Sequence, residues 1–218
     1  MQKLIAGIHK FREHEFGKYE ELFHKLSEEG QNPHTLFITC SDSRVLAELI
    51  THSMPGDLFV VKNVGNIVPP ADASANKEST GAAIEFAVEI LKVKDIVICG
   101  HSLCGAMSAL LFGLSKAQET PHLEKWLNFA MPVRRLIDKN YHGLIDDETK
   151  LTAAAIENVL FGLENLRTYP AVEKHVLAGK LRLHGWFFKI ATAEMFAYDP
   201  FKEQFQLIES RSKKSHEH

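Results

Sequence analysis

Cysteine is scarce in this sequence, with three residues in 218, at positions 40, 99 and 104. Three thiols leave one over and are too few for a disulfide framework, which points to a reducing compartment. No apolar run approaches the roughly 20 residues that a membrane-spanning helix needs. The opening stretch, Met1 to Phe16, carries Lys, His, Arg and Glu at close intervals and lacks the apolar centre of a signal peptide. Neither sign of charge dominates: 25 Lys and Arg against 28 Asp and Glu leave a net charge of −3. No basic cluster stands out, so neither nucleic acid nor an anionic membrane is expected as a partner. Internal repeats and low-complexity segments are absent. What is present is an ordinary globular composition, 45% apolar and 24% charged. The length fits one domain over residues 1–218. Within it we expect an N-terminal helical arm (1–30), a core (31–200) and a polar C-terminal tail (201–218) that frays after Ser210.

Hydrophobic spacing gives a coarse map. Leu4, Ile8 and Phe11, then Tyr19, Leu22, Phe23 and Leu26, recur at helical intervals, with Gly17 as a break. Short apolar runs predict strands over His34–Thr39, Leu58–Val61, Asp95–Cys99 and Leu181–Phe188, with a short edge strand over Thr192–Tyr198. Helical patterns cover Arg44–Ile50, Gly81–Leu91, Cys104–Leu114, Glu119–Asn140 (broken or kinked at Pro132) and Asp147–Leu166. Strands separated by helices imply an α/β fold: a mostly parallel central sheet of four to five strands with helices on both faces. In such sheets, ligand sites gather at the carboxyl ends of the strands.

Two strings follow predicted strand ends: Cys40-Ser41-Asp42-Ser43-Arg44 and His101-Ser102-Leu103-Cys104-Gly105. Two thiolates and an imidazole make a three-ligand set suited to zinc, with a fourth position for water as in catalytic sites. His101 and Cys104, three apart, are expected on one face of a turn, with Cys104 in the first turn of its helix. Two thiolates cancel the zinc charge, so the bound water should be less acidic than over three imidazoles, and activity should rise with pH. Asp42 has two roles open to it: a fourth ligand that closes the site, or an acceptor that orients bound hydroxide. Arg44, by holding Asp42 in a bidentate pair, would select the second. The Gly105 N–H at a helix start, and Gln31, are candidate donors to a small anion. Cys99 reads as core, and the other eleven histidines mostly as solvated side chains, none of them a ligand or proton shuttle.

Three rival readings stay open on the residues alone. A thiol enzyme would use Cys40 as nucleophile, although a phosphatase loop spaces its Cys and Arg more widely than Cys40 and Arg44 stand. A zinc-stabilised binding module would take Asp42 as a fourth ligand. A hydrolase of carbonyl sulfide or carbon disulfide would use the same metal set.

Cys-x-Asp-x-Arg followed about 60 residues later by His-x-x-Cys-Gly resembles the β-class carbonic anhydrases, plant-like subgroup. The likeness runs from about residue 4 to Tyr198. The stretch Val61-Lys62-Asn63-Val64-Gly65-Asn66-Ile67-Val68-Pro69-Pro70 is similar to the family's loop after its second strand. Gly81–Val88 resembles the helix before the histidine strand, and Leu183-His184-Gly185-Trp186 the late strand. The resemblance implies zinc on Cys40, His101 and Cys104, a bound hydroxide, and reversible hydration of carbon dioxide to bicarbonate and a proton. It gives Asp42 the orienting role and Arg44 the task of holding it. Gln31, Phe59, Val64 and Gly105 match the family's substrate-binding positions. Phe86 departs from the tyrosine that many plant-like members carry there. The family builds dimers or larger even-numbered homo-oligomers, with N-terminal helices extending to the partner. The sequence is also similar to cyanobacterial carboxysomal members, without their long C-terminal extension. The expected location is the cytoplasm, with a carboxysome or an organelle stroma left open.

Overall fold

The computed structural model describes residues 1–71, 79–114, 119–141, 143 and 146–209. The fraying tail expected after Ser210 and part of the loop before Thr80 lie outside the described residues. Helix α1 (Gln2–Lys10) leads through a wide turn into α2 (Glu20–Glu29). Then follow β1 (Thr35–Cys40), α3 (Ala47–Thr51), β2 (Leu58–Asn63), α4 (Ser79–Glu85), β3 (Asp95–His101) and α5 (Gly105–Phe112). Helices α6 (Pro121–Leu127), α7 (Met131–Asn140), α8 (Asp147–Arg167) and α9 (Pro170–Leu177) precede β4 (Arg182–Lys189), β5 (Glu194–Asp199) and β6 (Gln204–Leu207).

The six strands form one sheet in the order β2-β1-β3-β4-β5-β6. The first four are parallel, and β5 and β6 add antiparallel strands at one edge. The sheet is thus larger than the four to five strands expected. The edge strand is β6, inside the presumed tail, and β5 is internal. Four residues, three of them exposed, give β6 too weak an alternation to stand out in sequence. Helix α9 also escaped the periodicity, while Pro132 falls in the first turn of α7, where its missing N–H costs nothing.

The alternation of each strand divides the core. Leu36, Ile38, Ile96 and Ile98 face one side and pack with Ile84, Val88, Val159, Leu166 and Val172 from α4, α8 and α9 and the turn after α4. Phe37, Val97 and Cys99 face the other side and meet Val45 and Ala47. Burying one such side chain stabilises the fold by roughly 1.5–3 kcal/mol. The two faces are unequally covered, since the second carries the five-residue α3. A third cluster, built from α5 to α8, packs beyond the carboxyl ends of the strands and includes Cys40 and Cys104. No helix among the described residues is long and apolar enough to cross a membrane.

Candidate metal centre

From β1 the chain passes to β2 on one side, then crosses to β3 on the other. The strand order therefore reverses between β1 and β3, and a crevice opens at their carboxyl ends. Cys40 is the last residue of β1 and His101 the last of β3. The thiol sulfurs of Cys40 and Cys104 and a ring nitrogen of His101 lie within 4.8 Å of one another, all three residues buried.

The turn from His101 to Cys104 is not helical. Leu103 takes a left-handed conformation (φ 56°), and Cys104 is the extended N-cap of α5, just outside the first turn where it was expected. The reversal at Leu103 brings Cys104 back beside His101.

His101 is fully buried, and its Nδ1 lies 2.8 Å from the Ser102 carbonyl. A carbonyl only accepts, so Nδ1 carries the proton and Nε2 presents its lone pair. That Nε2 is buried without a hydrogen-bond partner, an arrangement that costs stability unless something else satisfies it. The Cys40 thiol is held well below its ordinary value by a hydrogen bond with Cys104, against the opposing effect of burial, with further help from His101 and the backbone. Cys104 is pushed upward by the same neighbour. The two sulfurs compete for one proton, a competition that a divalent cation removes. Two sulfurs and a free imidazole nitrogen are donors that zinc accepts, so the residues fit the metal.

Asp42 lies beside this group. Arg44 donates from Nε to Oδ1 at 2.9 Å, from Nη2 to Oδ2 at 2.7 Å and from its backbone N–H to Oδ1 at 2.9 Å. These bonds hold the Asp42 carboxyl well below the usual carboxylate range. Asp42 Oδ2 stands 4.0 Å from His101 Nε2, and Arg44 Nη2 also reaches the Leu103 carbonyl at 3.2 Å. The local Asp42–Arg44 bonding replaces the helix start expected at Arg44, and α3 begins at Ala47.

Other residues shape the site without having been singled out in sequence. Lys62 Nζ donates to the Val45 carbonyl at 2.7 Å and the Asp42 carbonyl at 3.3 Å, clamping the dyad turn. The Gly65 N–H donates to Cys40 Sγ at 3.3 Å. Asn63 makes two side-chain bonds to Ile67, and Asn158 from α8 donates to the Gly65 carbonyl at 2.9 Å. Together they fix that loop. Their sequence signal was a polar residue in an apolar context: Lys62-Asn63 closing a strand, and Asn158 on the buried stripe of α8.

The carbonic anhydrase family model matches residues 35–195. The carbonic anhydrase of Synechocystis sp. is 46% identical over 211 residues, spanning 97% of this chain and 76% of that protein. The carbonic anhydrase of Helicobacter pylori (strain J99) is 34% identical, spanning 98% of both. Among solved structures, the β-carbonic anhydrase CcaA superposes with a TM-score of 0.90 at 45% identity, covering 97% of this chain and 93% of that one. The chain belongs to the β-class carbonic anhydrases. It is a carbonate dehydratase, a lyase that interconverts carbon dioxide and bicarbonate.

The four expected substrate positions of this carbonic anhydrase fall into two sets. Val64 and Gly105 stand at the carboxyl-end rim. Val64 adjoins Gly65, and its carbonyl accepts from Trp126 Nε1 at 2.6 Å. Gly105 opens α5, and a side chain there would meet nothing within 4 Å. Gln31 and Phe59 lie at the other end. Gln31 is exposed before β1, and five residue steps from Thr35 to Cys40 span about 16 Å. Phe59 pairs with Leu36 near the amino end of β2, and its ring lies 5.8 Å from that of Phe86.

Proposed function

We propose that Cys40, His101 and Cys104 hold one zinc ion, and that Asp42 and Arg44 orient the reacting water. The observation that carries this is the buried, unpartnered His101 Nε2 beside two thiols, with an arginine-held carboxylate 4.0 Å away. Zinc bound there supplies the acidity that makes water a nucleophile near neutral pH. The Asp42 carboxylate, ionised and acceptor-only, would accept a hydrogen bond from that water's O–H, which would turn an oxygen lone pair toward the substrate carbon. Arg44 keeps both carboxylate oxygens occupied, which prevents Asp42 from serving as a fourth ligand. Release of Asp42 by Arg44 would close the site, so the pair acts as a gate.

Carbon dioxide is small and apolar, and an apolar pocket suffices to hold it. Val64 and the Gly105 N–H serve the metal centre of their own chain. Gln31 and Phe59 stand too far from that centre, and in our reading they serve the centre of a second copy. Helix α1 supports this arrangement. Leu4, Ile5 and Ile8 along it and Phe11 just after it are exposed and belong to none of the core clusters among the described residues. Residues 1–30 would then be the dimer arm, 31–200 the catalytic core and 201–218 the tail, of which β6 completes the sheet. One solved β-carbonic anhydrase of Sordaria macrospora, 32% identical to this chain with a TM-score of 0.79, is among two from that fungus described as tetrameric. A homodimer or larger even-numbered assembly in the cytoplasm fits these features. Stopped-flow carbon dioxide hydration and zinc content, compared between the native chain and Cys40→Ser, test the proposal. Loss of both is expected, and equal rates would overturn it.

A further inference from the structure

Where the amino ends of β3 and β4 meet the end of α9, the surface folds into a cavity of about 680 Å³. Lys92, Lys94, Lys180 and Arg182 line it, with Glu89 as the one lining carboxylate. A chain of net charge −3 thus gathers four cations at a single opening.

Two short stretches place them. Lys92-Val93-Lys94 leads into β3, and Lys180-Leu181-Arg182 leads into β4. In each the middle residue is buried, Val93 at 4% exposure and Leu181 at 3%, while the flanking cations are exposed. The Arg182 N–H donates to the Lys94 carbonyl at 3.0 Å, and Asp95 lies opposite Arg182 in the parallel register. The stretches therefore run side by side, about 4.8 Å apart. Lys92 takes a left-handed conformation (φ 56°), uncommon outside glycine.

The carboxylate nearest the basic stretches, Asp95, is already engaged. Asp95 accepts from Arg182 Nε and Nη2, both at 2.8 Å, and lies 2.8 Å from His184 Nε2. Glu89, the partly exposed carboxylate of the lining, stands 3.6 Å from His175 Nε2 without a hydrogen bond to it, and so offsets one of the four cations. The N–H groups of Ala178, Gly179, Lys180 and Leu181 cap the last carbonyls of α9. The Lys92, Lys94 and Lys180 ammonium groups have no ion pair or hydrogen bond among the described residues. Like charges collected this way repel, and a bound anion relieves the repulsion.

We propose that this cavity binds a small polyanion bearing two or more phosphate groups. Its volume falls within the roughly 300–1,000 Å³ of small-molecule sites. Nucleic acid would need cations spread along a track, and here they are confined to one opening. The site is separate from the metal centre, because the six steps of β3 between Asp95 and His101 span about 20 Å.

Calorimetric titration of the full-length, metal-loaded protein at low salt tests this. The probes are inorganic pyrophosphate, a hexose bisphosphate, adenosine triphosphate and a single-stranded oligonucleotide. Binding of a small probe should weaken at least tenfold in the double variant Lys94→Gln/Lys180→Gln. It should weaken also in Lys92→Asn, since asparagine tolerates the left-handed backbone. Lys180→Arg should bind as the native chain does, and metal content should be unchanged throughout. Tighter binding of pyrophosphate than of the organic probes would assign the site to free phosphates, and the reverse order to phosphorylated metabolites; either supports the proposal. It is overturned by no binding to the native chain, by equal binding in the variants, by binding lost on metal chelation, or by tightest binding of the oligonucleotide.

Discussion

Arg44 grips Asp42 through both carboxylate oxygens while leaving Oδ2 only 4.0 Å from the free nitrogen of His101. A lone carboxylate so close to the proposed metal ligands would be drawn to the cation as a further ligand. The planar guanidinium fork holds it in place with two parallel bonds, which a lysine cannot reproduce. Arg44→Lys should therefore retain zinc yet lose about 10–100-fold in turnover. Asp42→Asn should retain zinc and lose about 10²–10⁴-fold. Stopped-flow rates and metal analysis on the same preparations check both, and unchanged turnover in Asp42→Asn would remove that carboxylate from the mechanism.

Lys62 acts on the dyad through the backbone. Its ammonium group joins the Asp42 and Val45 carbonyls and reinforces the turn that the Val45 N–H closes on the Asp42 carbonyl at 3.2 Å. Lys62→Met should lower turnover about tenfold with zinc content unchanged. Lys62→Arg should recover most of the loss, and a rate profile against pH should show the same form in both.

Gly65 has φ +83°, and a Cβ there would lie 2.9 Å from Ala106 Cβ. Gly65→Ala must strain the backbone and displace α5, whose N-cap is Cys104. A destabilisation of about 1–3 kcal/mol is expected, read from chemical denaturation. Zinc affinity should fall with it, because the Gly65 N–H bond to Cys40 Sγ is disturbed.

Asp95 offers a pH test away from the metal. Burial pushes its carboxyl up, yet the bonds from Arg182 and His184 outweigh burial and leave it below the ordinary carboxylate value. A depressed carboxylate stabilises the fold above its unfolded value, and the contribution fades as pH falls through the lower, folded value. Asp95→Asn should be less stable than the native chain at pH 6. The difference should shrink below about pH 4, the ordinary carboxylate range. Urea midpoints across that range, with chelator present in both samples, decide it; a constant difference would refute the assignment.

Removal of residues 1–18 deletes the exposed apolar stripe of α1. Sedimentation velocity should then show a shift toward monomer relative to the full chain, and hydration activity should fall with it because Gln31 and Phe59 lose their partner site. A truncated chain that keeps both its assembly and its rate would refute the arm's role.

The residues proposed to bind metal, and the dyad beside them, were readable from the sequence because their chemistry is local. Cys40, Asp42 and Arg44 lie within five positions, His101 and Cys104 within four, and each group closes an apolar run. Short apolar runs likewise marked β1 to β5, and helical periodicity most helices, since burial is imposed on each segment separately. Strand order was not local. Cys40 and His101 are 61 positions apart, and only the pairing of β1 with β3 puts their ends side by side. The same pairing sends Gln31 and Phe59 to the far end and lines up the two basic stretches on the opposite rim. Side-chain type and spacing are written along the chain, whereas distance across the sheet follows from which strands share hydrogen bonds.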